Sequence, residues 1–104
     1  MYTRNVTLKL KTNSTEEFKR LIENDILPLL RKQPGFRDEI TFVAPERSEA
    51  VAISIWDTKE NCENYNRNGY PEVLKIVSKF VEGTPKVETF ELSNSTLHKH
   101  AAKA

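Results

Sequence analysis

Histidine is missing from the first 97 residues; the only two are His98 and His100. A neutral-pH imidazole base, or a serine or cysteine nucleophile paired with one, therefore has no source in the patterned part of the chain. Cysteine occurs once, as Cys62, which excludes an internal disulfide and a multi-cysteine zinc site and suits a reducing interior. Glycine is limited to Gly35, Gly69 and Gly83, too few and too scattered for a phosphate-cradling loop or a dinucleotide fingerprint. Neither sign of charge dominates: 16 basic residues against 15 acidic ones leave a formal charge of +1. No global field exists to hold a polyanion, and nucleic acid is not an expected partner. The opening stretch MYTRNVTLKLK has no apolar segment of signal-peptide or anchor length, so the expected address is cytoplasmic, with no membrane partner.

What is present is the balance of a globular protein. The 104 residues are 38% hydrophobic, 30% charged and 9% aromatic, which fits one compact domain. The expected domain spans residues 1–92. The polar and alanine-rich residues 93–104 have no clear period and read as a flexible C-terminal arm. Two histidines on such an arm, without thiolate or carboxylate partners, do not make a preformed metal site.

Residues Thr3 to Lys11 alternate, with Val6, Leu8 and Leu10 on one side and Asn5, Thr7, Lys9 and Lys11 on the other: a half-buried strand. Ser14 and Glu17 have the spacing of a capping box, and Phe18, Leu21, Ile22, Ile26, Leu29 and Leu30 form the apolar stripe of the helix that follows. Pro28 predicts a kink or restart near Leu27. Phe36 to Ala44 and Ala50 to Trp56 read as two strands of a hairpin. Asp57 and Glu60 suggest a second cap, with a helix from about Thr58 that breaks at Asn68 to Pro71 and resumes until Gly83. Pro85 to Leu92 closes the fold.

The order strand, helix, strand, strand, helix, strand predicts an α+β, ferredoxin-like βαββαβ plan: a four-stranded antiparallel sheet with two helices on one face. On the third strand Val51, Ile53 and Ile55 point one way while Ala50, Ala52, Ser54 and Trp56 point the other, and neither set suits water. A second copy of the sheet is the simplest cover for the bare face, so a homodimer is expected.

Three stretches, LPLLRKQPGF at 27–36, AISIWDTKENCENY at 52–65 and VETFEL at 87–92, together with this order, resemble the antibiotic biosynthesis monooxygenase superfamily of dimeric α+β barrels. The resemblance implies a ligand between the helices and the sheet of each subunit, walled by Asn5, Trp56, Asn61, Tyr65 and Tyr70. Many members carry histidine nine residues after the tryptophan, where this chain has Tyr65. Haem-degrading relatives bind iron through a helix histidine, so no haem and no other cofactor is expected here.

The same scaffold serves cofactor-free oxygenases, isomerases and members without an assigned reaction. Cofactor-free oxygenation asks the protein to hold a phenolic anion, exclude water and place hydrogen-bond donors. In that reading Tyr65 orients the substrate hydroxyl or exchanges its proton. Asn5 or Asn61 donates to a developing oxyanion, and Trp56 and Tyr70 contact a small aromatic substrate. Each also has a structural reading: Trp56 and Tyr65 as core aromatics, Asn5 as a solvent-facing strand residue, Cys62 as a small packed side chain. A non-catalytic ligand-binding or interaction module, and an isomerase or decarboxylase of a small polar metabolite, are the alternatives.

Overall fold

A computed structural model of the chain describes residues 1–96. His98, His100 and the arm predicted beyond residue 96 lie outside the described residues. The elements are β1 (Tyr2–Leu10), α1 (Thr15–Leu21), a π-helical turn (Ile22–Ile26), α2 (Leu27–Arg31), β2 (Phe36–Ala44), a 3-10 turn (Pro45–Arg47), β3 (Glu49–Trp56), α3 (Lys59–Asn68), α4 (Tyr70–Val77), a second 3-10 turn (Ser78–Phe80) and β4 (Val81–Glu91). Every pairing is antiparallel and the strand order is β2-β3-β1-β4. This is the predicted α+β, ferredoxin-like plan.

Alternation decides which face of the sheet is covered. Arg4, Val6, Leu8 and Leu10 of β1 are buried in one phase. Phe18, Ile22, Ile26 and Leu30 pack on them from the first helical layer, and Cys62, Tyr65, Val73 and Val77 from the second. Each large side chain so buried stabilises the fold by roughly 1.5–3 kcal/mol. Among the described residues no helix covers the opposite face. On it Ile40 pairs with Ile53, and Ile53 with Asn5; one step along, Phe42 pairs with Val51. Phe42 and Phe90 remain 58% and 50% exposed.

The first helix restarts at Leu27, as Pro28 dictates: the proline stands in the first turn of α2, where a missing N–H breaks no intrahelical bond. The π-helical turn before it absorbs the change in register. The capping box is corrected. The Ser14 side chain makes no cap bond, and its carbonyl accepts from the Phe18 N–H at 2.9 Å instead. At α3 the cap is one residue later than predicted. Thr58 Oγ1 accepts from the Asn61 N–H at 3.1 Å, while Asp57 forms an ion pair with Arg37.

Gly69 divides α3 from α4 where the break was expected. Gly83, however, does not end a helix: α4 stops at Val77, and Val81 to Glu91 is strand. Val81 sits one helical turn after Val77 and is equally buried, but it faces Leu10 across the sheet; the four-residue spacing imitated a helical stripe. Gly83 takes φ +69 beside the register shift between Thr7 and Lys9, a conformation that glycine adopts without a Cβ penalty.

Candidate functional site

The helical layer and the sheet do not close completely. A cleft of about 50 Å³ remains, walled mostly by aliphatic side chains of β1, the π-helical turn and α4, with five polar residues: Arg4, Glu39, Ser54, Tyr65 and Tyr70. Three come from one row across the sheet, where Glu39 pairs with Ser54 and Ser54 with Arg4. Strands lie about 4.8 Å apart, so the outer two backbones stand about 10 Å from each other. The one proton of the Ser54 hydroxyl is committed: its Oγ accepts from Trp56 Nε1 at 2.9 Å and donates to the Arg4 carbonyl at 3.4 Å.

Arg4 is only 2% exposed. Its Nη2 donates to Asn66 Oδ1 at 2.8 Å, and its guanidinium carbon lies 3.9 Å from the Tyr70 ring centroid and 5.4 Å from that of Tyr65. These aromatic faces offset part of the cost of burying the cation. Arg4 Nε is buried without a hydrogen-bond partner.

The electrostatics set protonation states. Burial pushes the Tyr65 hydroxyl well above the ordinary tyrosine range; the Arg4 charge opposes this, while Tyr70, Glu39 and Cys62 add to it. Tyr65 is thus a neutral phenol, able to donate a hydrogen bond but unsuited to act as a phenolate base. Burial also raises the Glu39 carboxyl, against the lowering effect of its hydrogen bond from Thr41. The buried Cys62 thiol is raised by desolvation, lowered by Arg4 and raised again by Glu63, which leaves it protonated and inert.

Of the residues singled out in the sequence, Tyr65 and Tyr70 line the cleft together, their rings in an edge contact 6.3 Å apart. Trp56 is fully buried behind them, stacked on Tyr65 and touched edge-on by Phe36 at 5.6 Å. Asn61 lies at the start of α3, its side chain accepting from Thr58 Oγ1 at 2.8 Å and filling the space above Gly35. Asn5 points to the bare face of the sheet, in a recess with Thr3, Ile40, Ile53, Ile55 and Phe90. Strand alternation sends it away from the helices, and its Oδ1 is buried without a partner among the described residues.

Arg4, Glu39 and Ser54 were not anticipated. The signal for Arg4 was present, since it falls two residues before Val6 in the buried phase of β1. Outside the cleft runs a groove of about 490 Å³ between the first helical segment and β2. Ile22 and Glu39 belong to the walls of both. The cleft alone is well below the roughly 300–1,000 Å³ of ordinary ligand pockets, whereas cleft and groove together reach that range.

Among the described residues there is no group of three or more histidine, cysteine or acidic side chains poised for a metal ion, and no helix is long and apolar enough to cross a membrane.

No protein-family model and no curated protein matches the sequence. Solved structures do match. A monooxygenase from the gene ActVA-Orf6 of Streptomyces coelicolor, in complex with nanaomycin D, superposes with a TM-score of 0.76 at 16% identity, over 94% of this chain and 92% of that one. A variant of SnoaB, a cofactor-independent oxygenase from Streptomyces nogalater, gives 0.73 at 14% identity, over 93% of this chain and 97% of that one. A protein of unknown function from Nitrosomonas europaea gives 0.76 at 15% identity, with 93% of each chain covered. The chain has the fold of the antibiotic biosynthesis monooxygenases, as its sequence resemblance implied.

Proposed function

We propose that this protein is a small-molecule enzyme of the cofactor-independent monooxygenase type, acting on an aromatic or quinone-like metabolite held between the helices and the sheet. The observation that carries this reading is the cleft itself: a mostly apolar space into which two tyrosines, an arginine and a carboxyl converge. Two neighbouring structures, a cofactor-independent oxygenase and a monooxygenase in complex with nanaomycin D, support the same class. The single buried thiol, Cys62, fits the cytoplasmic setting we assign.

The chemistry asks little of the chain. A phenolic substrate that loses its hydroxyl proton becomes electron-rich at ring carbon and transfers electrons to dioxygen. The net reaction converts the hydroxyl and one ring C–H into the two carbonyls of a quinone; one atom of dioxygen enters the ring and the other leaves as water. The substrate supplies the electrons. Tyr65, kept neutral by burial, serves as a donor to the oxyanion, and Tyr70 closes over the ring. Aliphatic walls exclude water. Ile22 and Glu39, which line both the cleft and the outer groove, mark the route of entry.

The bare sheet face supports a homodimer. Ile40, Phe42, Val51, Ile53 and Phe90 lie on a surface that no helix covers among the described residues, and the Asn5 Oδ1, unpartnered among them, needs a donor that a second copy can bring.

A second reading, a non-catalytic binding module on the same scaffold, is favoured by the small size of the cleft, about 50 Å³. Oxygen uptake across hydroquinones, naphthols and polyphenols separates the two. Uptake matched mole for mole by substrate loss supports the enzyme; ligand binding without uptake supports the module.

A further inference from the structure

Arg4 presents a physical problem that the fold does not solve internally. A guanidinium only 2% exposed has left water almost entirely, and burial of a cation is strongly unfavourable unless charge and hydrogen bonds compensate it. One amide oxygen, that of Asn66, and the face of Tyr70 supply part of this. Among the described residues no ion pair reaches Arg4 and its Nε has no hydrogen-bond partner. Guanidinium groups match planar oxyanions through parallel N–H donors.

The other charged group of the cleft does not supply the missing anion. Glu39 stands two strands away in the same row, and its burial favours the neutral carboxyl. Ser54, between them, is committed to Trp56 and to the Arg4 carbonyl. The floor of the cleft therefore has a cation at one end, a carboxyl at the other and no free hydrogen-bond donor between.

We propose that the cleft is built for a planar organic anion, with an oxyanion on the Arg4 guanidinium, the ring lying over Ser54 beneath Tyr65 and Tyr70, and a hydrogen-bonding group at the far edge facing Glu39. This rests on the reading of the cleft as the ligand site and adds the class of ligand: an oxyanion conjugated to a flat ring, either a carboxylate or an ionised phenol. Arg4 is then the residue that selects for charge, and Glu39 the one that selects for a polar group opposite to it.

Calorimetric titration with 2-naphthoate and its neutral counterpart 2-naphthamide tests the charge requirement. The full-length protein should bind the carboxylate at least about tenfold more tightly, as one charge-assisted pair requires. The phenol arm uses 4-nitrophenol, whose phenolate absorbance should appear in the bound state below the pH at which the free phenol ionises. Preference for naphthoate, the nitrophenolate signal, or both supports the proposal and tells which oxyanion the site takes. Arg4→Met should abolish the preference, and Arg4→Lys should retain part of it. Should Arg4→Met fail to fold, the comparison of naphthoate with naphthamide in the unaltered protein still decides. Equal binding of naphthamide and naphthoate, with no nitrophenolate signal, overturns the assignment of charge while leaving the cleft as a ligand site. Failure of all three probes to bind overturns both.

Discussion

The rings of Trp56 and Tyr65 stack with centroids 4.8 Å apart and planes inclined by 25°. This contact ties the end of β3 to the middle of α3 and sets the position of the Tyr65 hydroxyl over the sheet. Phe36 supports Trp56 from its edge. On the other side Gly69 leaves the Tyr65 ring its space, since a Cβ there would come within 2.6 Å of Tyr65 Cδ1. The tyrosine is held by packing on both sides, which is what a preorganised donor needs.

Tyr65→Phe keeps the stack and removes only the hydroxyl. Stability should change little, while turnover of a responsive phenol should fall by roughly 10²–10³, the usual effect of losing one oxyanion donor. Tyr65→Ala should instead cost about 3–5 kcal/mol of stability, visible in denaturant melts. Unchanged oxygen uptake by the phenylalanine variant removes Tyr65 from the mechanism.

Gly35 and Gly83 both have positive φ, +78 and +69, but only Gly35 is also crowded. A Cβ at Gly35 would meet the Asn61 side chain at 2.2 Å, whereas one at Gly83 meets nothing within 4 Å. Gly83→Ala should cost about 1–2 kcal/mol from backbone conformation alone. Gly35→Ala should cost more, and Asn61→Ala in the same chain should recover only a fraction of the steric part, because the Cβ of residue 61 still stands 2.6 Å from the added methyl. Equal melting shifts for the two glycine variants would show that the Asn61 contact carries no energy.

Glu39 gives a pH dependence of definite sign. Its carboxyl is raised in the folded state from the ordinary value of 4.5, so between that value and the raised one the folded chain binds more protons than the unfolded chain. Stability should therefore decline as pH rises through that interval. Glu39→Gln should flatten this decline, measured as urea midpoints across a pH series. A decline that persists unchanged assigns it to another group.

Placing lysine at Phe42 or Ile53 puts a charge on the bare sheet face. If two copies meet there, Phe42→Lys and Ile53→Lys should convert a dimer to a monomer by light scattering while leaving the circular dichroism spectrum in place. Monomeric mass for the unaltered protein at micromolar concentration would remove the dimer from the account.

Much of the architecture could be read from alternation. Val6, Leu8 and Leu10 named the buried side of β1, and Pro28 marked the restart of the helix. The site was less legible because its polar members hide inside apolar patterns. Arg4 occupies a core phase that a reader expects to be aliphatic, and Glu39 shares its phase with Thr41 and Val43 on an edge strand. Sequence also cannot order aromatics in depth: Trp56 and Tyr65 both read as wall residues, yet one is stacked behind the other. Asn5 shows the opposite case. Its position on the polar side of β1 was plain from the pattern, and the fold keeps it there, away from the cleft.

The most direct measurement is a crystal structure of the protein grown with a naphthol or hydroquinone in the absence of oxygen. The account predicts planar density between the sheet and the rings of Tyr65 and Tyr70, with Ile22 displaced toward the outer groove and Glu39 facing the far edge of the ring. Density confined to the bare sheet face, with the cleft still closed, would contradict it.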